Sequence, residues 1–270
     1  MTGRSRLDRA TGLYVAPATG SAAFRVAKDR GTRGPLSGYP NHVVGPLPPG
    51  SSPDKRGRFD TLGTTVYFAD GPECAFAEVL TGFRANLADV QRAAALIGED
   101  PEEYMARVRA EANARGTDEP WAIPCDWQWD RSIYRVQMPT DGWWVRIDHV
   151  ETIATLNRVL QPEIARFGVD VDVITTGDLE GRDRGLTTLV AEYIRNIVLE
   201  DGSRPLGITF RSKTAEGSCW AFFDRNSDDD LPTTVNDPRL LDSTNVDTPA
   251  FQKVTRRYGL PVLPGLPRYS

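Results

Sequence analysis

Long apolar runs, histidine and cysteine are what this chain lacks. Among its 270 residues, no apolar stretch approaches the roughly 20 residues needed to span a bilayer. The arginines of "MTGRSRLDRATG" lead into no apolar leader segment, so the expectation is a cytoplasmic protein with no membrane partner. Three cysteines, Cys74, Cys125 and Cys219, are scattered and form no CxxC pair, which argues against a disulfide framework and a structural zinc. Two histidines, His42 and His149, are too few for a His-built centre, so no metal site is expected and each reads as a structural or surface residue. The formal net charge of -5 gives no basic field, and no nucleic-acid partner is expected.

Familiar chemical signatures are missing too. The chain contains no GxxxxGK[ST] phosphate loop, no GxGxxG after a strand, no HExxH and no GxSxG elbow, which removes the P-loop, common Rossmann, zincin and nucleophile-elbow readings. The acidic run within "DRNSDDDLPTTVNDP" lacks the alternating ligands and closing glutamate of a calcium loop and reads as solvated.

What is present is an ordinary globular composition, 40% hydrophobic and 26% charged, without internal repeats or a clean linker. One domain is expected over residues 21–230, preceded by a loose tail over 1–20 and followed by a Pro-rich tail over 231–270 packed on it. The Pro/Gly-rich stretch 31–52 has no periodicity and reads as a long functional loop. Strands are expected at "AAFRVA", "VYFA", "SIYRVQM", "WWVRIDHV", "LGITFRS" and "SCWAFFD". Helices are expected from Pro72 onward, over Asn86–Ile97 and Pro101–Arg115, over "VETIATLNRVLQPEI", and over Gly185–Asp201 with its broad apolar stripe. The tryptophans Trp121, Trp127, Trp129, Trp143 and Trp144 read as core of the middle segment or as an interface.

The stretch "GRFDTLGTTVYFADGPECAFAEVL" (57–80) poses the functional question. Glu78 sits inside an apolar helical pattern, and a buried carboxylate is expensive unless something polar or cationic meets it. Other polar residues stand at the edges of apolar segments in the same way: Arg25, Arg58, Tyr67, Arg211 and Ser212. Singly, each reads as a surface charge, a core aromatic or a turn residue. Together, two arginines, a glutamate, a hydroxyl and an aromatic suit an anionic ligand bearing a sugar. Arginine forks match phosphate oxygens, and a carboxylate stabilises cationic charge developing on a ribose.

The ordered set "FRV … GRF … VYFA … ECAFAEVL … GITFRS … CWAFF" resembles the RES domain, named for its Arg, Glu and Ser. Its members are commonly the toxin half of bacterial toxin–antitoxin pairs and degrade NAD. The resemblance covers roughly residues 22–82 and 185–224 and leaves 84–184 as an insertion. It implies an α+β fold similar to the ADP-ribosyltransferase catalytic domain, a split, mostly antiparallel twisted sheet with flanking helices around an NAD cleft. By position it implies Glu78, Arg58 and Ser212 as catalytic residues, with Arg25 and Tyr67 binding substrate and Arg211 helping to hold a phosphate. NAD is then the substrate and no separate cofactor is needed, with inorganic phosphate, water or a protein side chain as acceptor. A cognate antitoxin blocking the cleft is an expected partner, and a homo-oligomer is open. The alternatives are an ADP-ribosyltransferase acting on a protein and a silent binding module of the same fold.

Overall fold

A computed structural model of the chain describes residues 3–29, 34–48, 50, 56–117, 120–181 and 183–264. Parts of the expected loop (31–33, 49, 51 and 52) and of the C-terminal stretch (265–270) lie outside the described residues. The strands are β1 (Arg6–Leu7), β2 (Tyr14–Pro17), β3 (Ala22–Lys28), β4 (Pro40–Asn41), β5 (Gly63–Ala69), β6 (Arg131–Gln137), β7 (Trp143–Arg146), β8 (Gly207–Arg211), β9 (Ser218–Phe223) and β10 (Arg239–Asn245). The helices are α1 (Pro72–Leu80), α2 (Leu87–Ile97), α3 (Pro101–Arg115), α4 (Cys125–Trp129), α5 (Val150–Val159), α6 (Gln161–Phe167), α7 (Thr176–Glu180), α8 (Arg184–Asn196), α9 (Arg225–Asp228) and α10 (Pro249–Tyr258). The class is α+β, with a mostly antiparallel sheet flanked by helices.

The main sheet runs β1-β2-β7-β8-β9-β5-β3-β6-β10, with β4 attached to β5. Every pairing is antiparallel except β7 with β8. The sheet is split at β3 and β5, which pair only at Phe24 and Ala69.

The connections show that this sheet cannot be flat. β2 and β3 are five places apart in the order, a flat separation of roughly 24 Å at the usual strand spacing. Pro17 and Ala22 are joined by a link that reaches at most about 18 Å when fully extended. The β6–β7 link faces the same span with only 138–142 to cover it. The sheet therefore curls, and the two links meet: the Met138 amide donates to the Ser21 carbonyl at 3.0 Å and the Gly20 amide to that of Pro139 at 2.9 Å. Inside the curl lies a core built without any helix residue, from Ala23, Val66, Phe68, Tyr134, Val136, Trp144, Phe222 and their neighbours. Two further cores lie between sheet and helices. One gathers Val15, Val145, Ile208 and Phe223 against α8, and the other packs Phe76 and Leu80 of α1 against Trp127 and the α10 residues Phe251 and Val254.

Local sequence explains the helices that frame the split. α1 begins with Pro72, which needs no amide donor, and carries Glu73 in its first turn. α8 is started by Asp183, whose carboxylate accepts the Gly185 amide at 2.7 Å. Its Leu186, Val190 and Ile194 are fully buried, each contributing on the order of 1.5–3 kcal/mol of burial free energy.

Several boundaries differ from those expected. The described part of the expected tail, residues 3–20, is not loose: β2 pairs with β7, and Leu13 and Val15 are wholly buried. The segment 84–184 is not simply inserted, because β6 and β7 are interior strands of the sheet; short polar-flanked strands carry little sign of which neighbours they will find. The stretch 231–270 contributes the edge strand β10 and helix α10 rather than only a packed tail. Finally, α8 stops at Asn196 because Ile197 is extended, and "VETIATLNRVLQPEI" divides at Leu160, where Pro162 opens a new helix. The tryptophans divide as well. Trp127 and Trp144 are core, while Trp143 lies under the Arg6 guanidinium and donates to Asp201 at 2.7 Å.

Candidate active site

The split between β3 and β5 opens into a cavity of about 510 Å³, lined among others by Arg25, Arg58, Tyr67, Glu78 and Arg184. Each of these residues reaches it for a local reason. Glu78 is on α1, one turn beyond the buried Cys74 and beside the cavity-lining Val79; it is half-buried rather than sealed in the core. Its Oε1 accepts the Ser212 hydroxyl at 2.6 Å and the Thr214 hydroxyl at 3.1 Å. Ser212 opens the turn after β8, where its Oγ also accepts the amides of Thr214 at 3.1 Å and Ala215 at 3.0 Å. The serine is thus a clamp. It fixes the turn with two accepted bonds and aims one Glu78 oxygen with the bond it donates.

Arg58 sits in the turn before β5, its guanidinium over the Phe210 ring at 5.1 Å. Its Nε and Nη1 are buried and find no acceptor among the described residues. Burial lowers its pKa from the usual arginine value, the Glu78 charge opposes that shift, and Arg184 adds to it. Two buried guanidinium nitrogens without an acceptor are costly for the free protein, and they suit an anion.

Tyr67 and the glycine of "GRF" hold this turn. The Tyr67 hydroxyl donates to Asp60 at 2.8 Å and accepts the Phe59 amide at 2.8 Å, while Asp60 also accepts the Gly57 amide at 2.7 Å. A Cβ at Gly57 would stand 2.5 Å from the Tyr67 hydroxyl oxygen, so only glycine fits. Burial, followed by the Asp60 charge, raises the phenol pKa well above its usual range, which keeps the ring a neutral wall of the cavity.

Arg25 stands on β3 at the split. It donates to the carbonyls of Pro35 at 3.0 Å, Tyr67 at 3.2 Å and Ser37 at 3.5 Å, and burial pulls its pKa down to about 10. Its donors therefore tie residues 35–37 to β5 at the rim of the cleft.

Arg211 is not brought to this cavity. Alternation along β8 turns Phe210 toward Arg58 and Arg211 the other way, 78% exposed and 3.8 Å from Asp148. There it borders a second cavity of about 390 Å³ with Arg146, Trp144 and Trp220, in which Asp148 also answers Arg146 at 3.3 Å.

Sequence reasoning passed over four residues. Asp60 and Thr214 position Tyr67 and Glu78. Arg184, the first residue of α8, lines the cavity and donates to the carbonyls of Arg56 at 3.2 Å and Gly181 at 3.3 Å. Lys213 donates to the Gly181 carbonyl at 3.1 Å, and its pKa is pulled down to about 8 by desolvation and by the Arg58 and Arg184 charges. Adjacency to "RS" was the available signal for Lys213 and Thr214; nothing local marks Arg184.

No family model matches the chain. No curated protein matches it. A chain of the crystal structure of the M. tuberculosis MbcT-MbcA toxin-antitoxin complex is similar, with 12% identity, 89% of this chain and 91% of that chain covered, and a TM-score of 0.41. The cleft offers a carboxylate aimed by two hydroxyls, a guanidinium with two nitrogens unanswered among the described residues, further cations and an aromatic wall. Among the described residues no cluster of His, Cys, Asp or Glu is arranged to hold a metal, and no helix is long and apolar enough to cross a membrane.

Proposed function

We propose that the chain cleaves the nicotinamide–ribose bond of NAD in the β3–β5 cleft. The observation that carries this reading is the pairing of opposites in one cavity: Glu78, aimed by Ser212 and Thr214, and Arg58, whose Nε and Nη1 lack acceptors. Arg58 takes the pyrophosphate through charge-assisted bonds. Tyr67 gives the nicotinamide or its ribose a flat wall. As the glycosidic bond breaks, Glu78 stabilises the oxocarbenium-like charge on the ribose and holds its 2′-hydroxyl. Ser212 acts through Glu78 and is a positioning residue. Arg25, occupied with three carbonyls, keeps the rim closed over the pyrophosphate.

The acceptor in this reading is inorganic phosphate, which makes the enzyme an NAD phosphorylase. The charges of Arg58 and Arg184 both reach Lys213, and that of Arg184 reaches Arg58, a cation group larger than water needs. Water as acceptor would give an NAD glycohydrolase. The toxin role and an antitoxin that covers the cleft follow from the resemblance to RES domains and belong to the same proposal.

Mass spectrometry of NAD incubated with purified protein, with and without phosphate, tests it. Free nicotinamide with a phosphorylated ADP-ribose, formed only with phosphate, is the expected result. Plain ADP-ribose would replace phosphorolysis with hydrolysis. Intact NAD beside well-folded protein would end the NAD-cleaving reading and favour protein modification or a silent binding module.

A further inference from the structure

Two of the three cysteines have no part in the chemistry above, yet the fold brings them together. Cys74, in α1, and Cys219, in β9, are 145 positions apart in sequence, and their sulfurs are 3.7 Å apart. Both are free thiols and both are buried. Cys219 forms part of the wall of the cavity that holds Glu78 and Arg58, so a small oxidant that enters the cleft meets Cys219, with the Cys74 sulfur directly against it. Cys74 lies four residues before Glu78, on the same face of α1. The surroundings leave room for the sulfurs: Gly217 stands beside Cys74, where a Cβ would come within 3.2 Å of its Sγ. The third cysteine, Cys125, is on α4 and has no cysteine partner in contact.

We propose that Cys74 and Cys219 are a modification site, a thiol pair that small peroxides convert to a disulfide, and that closing it disables the Glu78 cleft. The thiolate of one cysteine attacks a peroxide oxygen, breaking the O–O bond, releasing hydroxide and leaving a sulfenic acid. The second thiolate attacks that sulfur, forms the S–S bond and expels the hydroxyl group as hydroxide. With the two thiol protons, one hydrogen peroxide is reduced to two waters and two thiols are oxidised to one disulfide.

The pair is polarised for this. The hydrogen bond between the two sulfurs holds the Cys74 thiol below the usual cysteine range, and the same bond pushes Cys219 up.

The consequence for the cleft is mechanical. A disulfide draws the sulfurs to about 2.05 Å, well inside their present separation, and pulls α1 against β9. Glu78 rides on the same helix, and its 2.6 Å bond to Ser212 spans from α1 to the turn between β8 and β9. Closing the pair shifts one end of that bond against the other.

The thiol chemistry stands apart from what the cleft cleaves, whereas the loss of turnover rests on the NAD reading. The test treats the full chain with hydrogen peroxide, counts free thiols, maps cross-linked peptides and follows NAD loss. Free thiols should fall from three to one, with a cross-linked peptide joining Cys74 to Cys219. NAD turnover should fall at least tenfold and return with dithiothreitol. Cys125→Ala should behave as the wild type. Cys74→Ala and Cys219→Ala, checked for folding by thermal melts, should lose the cross-link and keep their own untreated activity in peroxide. Absence of the Cys74–Cys219 peptide, or full turnover by the cross-linked protein, would overturn the proposal. If the untreated protein leaves NAD intact, the NAD reading has failed and the cross-link result still decides whether the thiols pair.

Discussion

Two arginines packed against this sheet, each with buried guanidinium nitrogens, live under opposite rules. Arg195, on α8, is 9% exposed, and its guanidinium is answered: it donates to the Thr61 hydroxyl at 3.3 Å and pairs with Asp228. Asp228 in turn accepts the Thr64 amide at 2.9 Å. That makes Asp228 a structural anchor of α9 on β5, not the solvated loop residue its acidic neighbours suggest. Arg58, in the cleft, has two buried nitrogens with no acceptor among the described residues. A buried charge completed by protein groups fixes a fold; one left incomplete raises the energy of the free protein and lowers it again when an anion arrives. The difference separates architecture from a site.

The largest expected effect tests the completed arginine. Arg195→Met leaves Asp228 without its cation and should cost about 3–5 kcal/mol of stability, read by urea unfolding, with turnover per folded molecule unchanged. A cost below about 1 kcal/mol would mean the pair is better solvated than its burial indicates.

Glu78→Gln should reduce NAD cleavage about 100- to 1,000-fold with little change in Tm, since the amide oxygen still accepts from Ser212. Unchanged turnover would remove Glu78 from the chemistry. Arg58→Met sharpens the contrast with Arg195: NAD binding should weaken about 10- to 100-fold, the worth of lost charge-assisted bonds. Its Tm should hold or rise, because an uncompensated buried charge has gone. A clear fall in Tm would show that Arg58 is structural too.

The smallest effect is a pH limb. Lys213 carries its proton below about pH 8 and loses it as pH rises, so phosphate-dependent turnover should decline through that range. Lys213→Met should abolish that limb and lower turnover at pH 7, while an unchanged limb would assign it to another group.

Much of the site was legible because its landmarks are local. "VYFA" followed by Asp-Gly-Pro gives a strand, a turn and a helix start within ten residues, so the placement of Tyr67 and Glu78 follows from spacing. "GITFRS" likewise ends a strand just before Ser212. Arg211 shows where local reading runs short: a strand alternates its side chains, and whether Arg211 or Ser212 faces the cleft depends on where β8 ends and the turn begins. Arg184 and Lys213 were not legible as a cation group, because residues 58, 184 and 213 meet only through the packing of α8 beside the sheet.

The sequence by itself determined the class of the protein, the longer helices α1, α2, α3, α5 and α8, most interior strands and the ordered landmarks Arg25, Arg58, Tyr67, Glu78 and Ser212. Those features depend on periodicity, proline, glycine and capping residues within a few positions of one another. Tertiary structure alone decided that residues 6–17 and 131–146 belong to the sheet, that the sheet curls, and that β3 and β5 part after one pair to open a cleft. It alone left Arg58 unanswered while completing Arg195, and set Cys74 against Cys219. Each of these is a choice of partner between segments distant in the chain, fixed by which surfaces exclude water together, and no local pattern of residues encodes it.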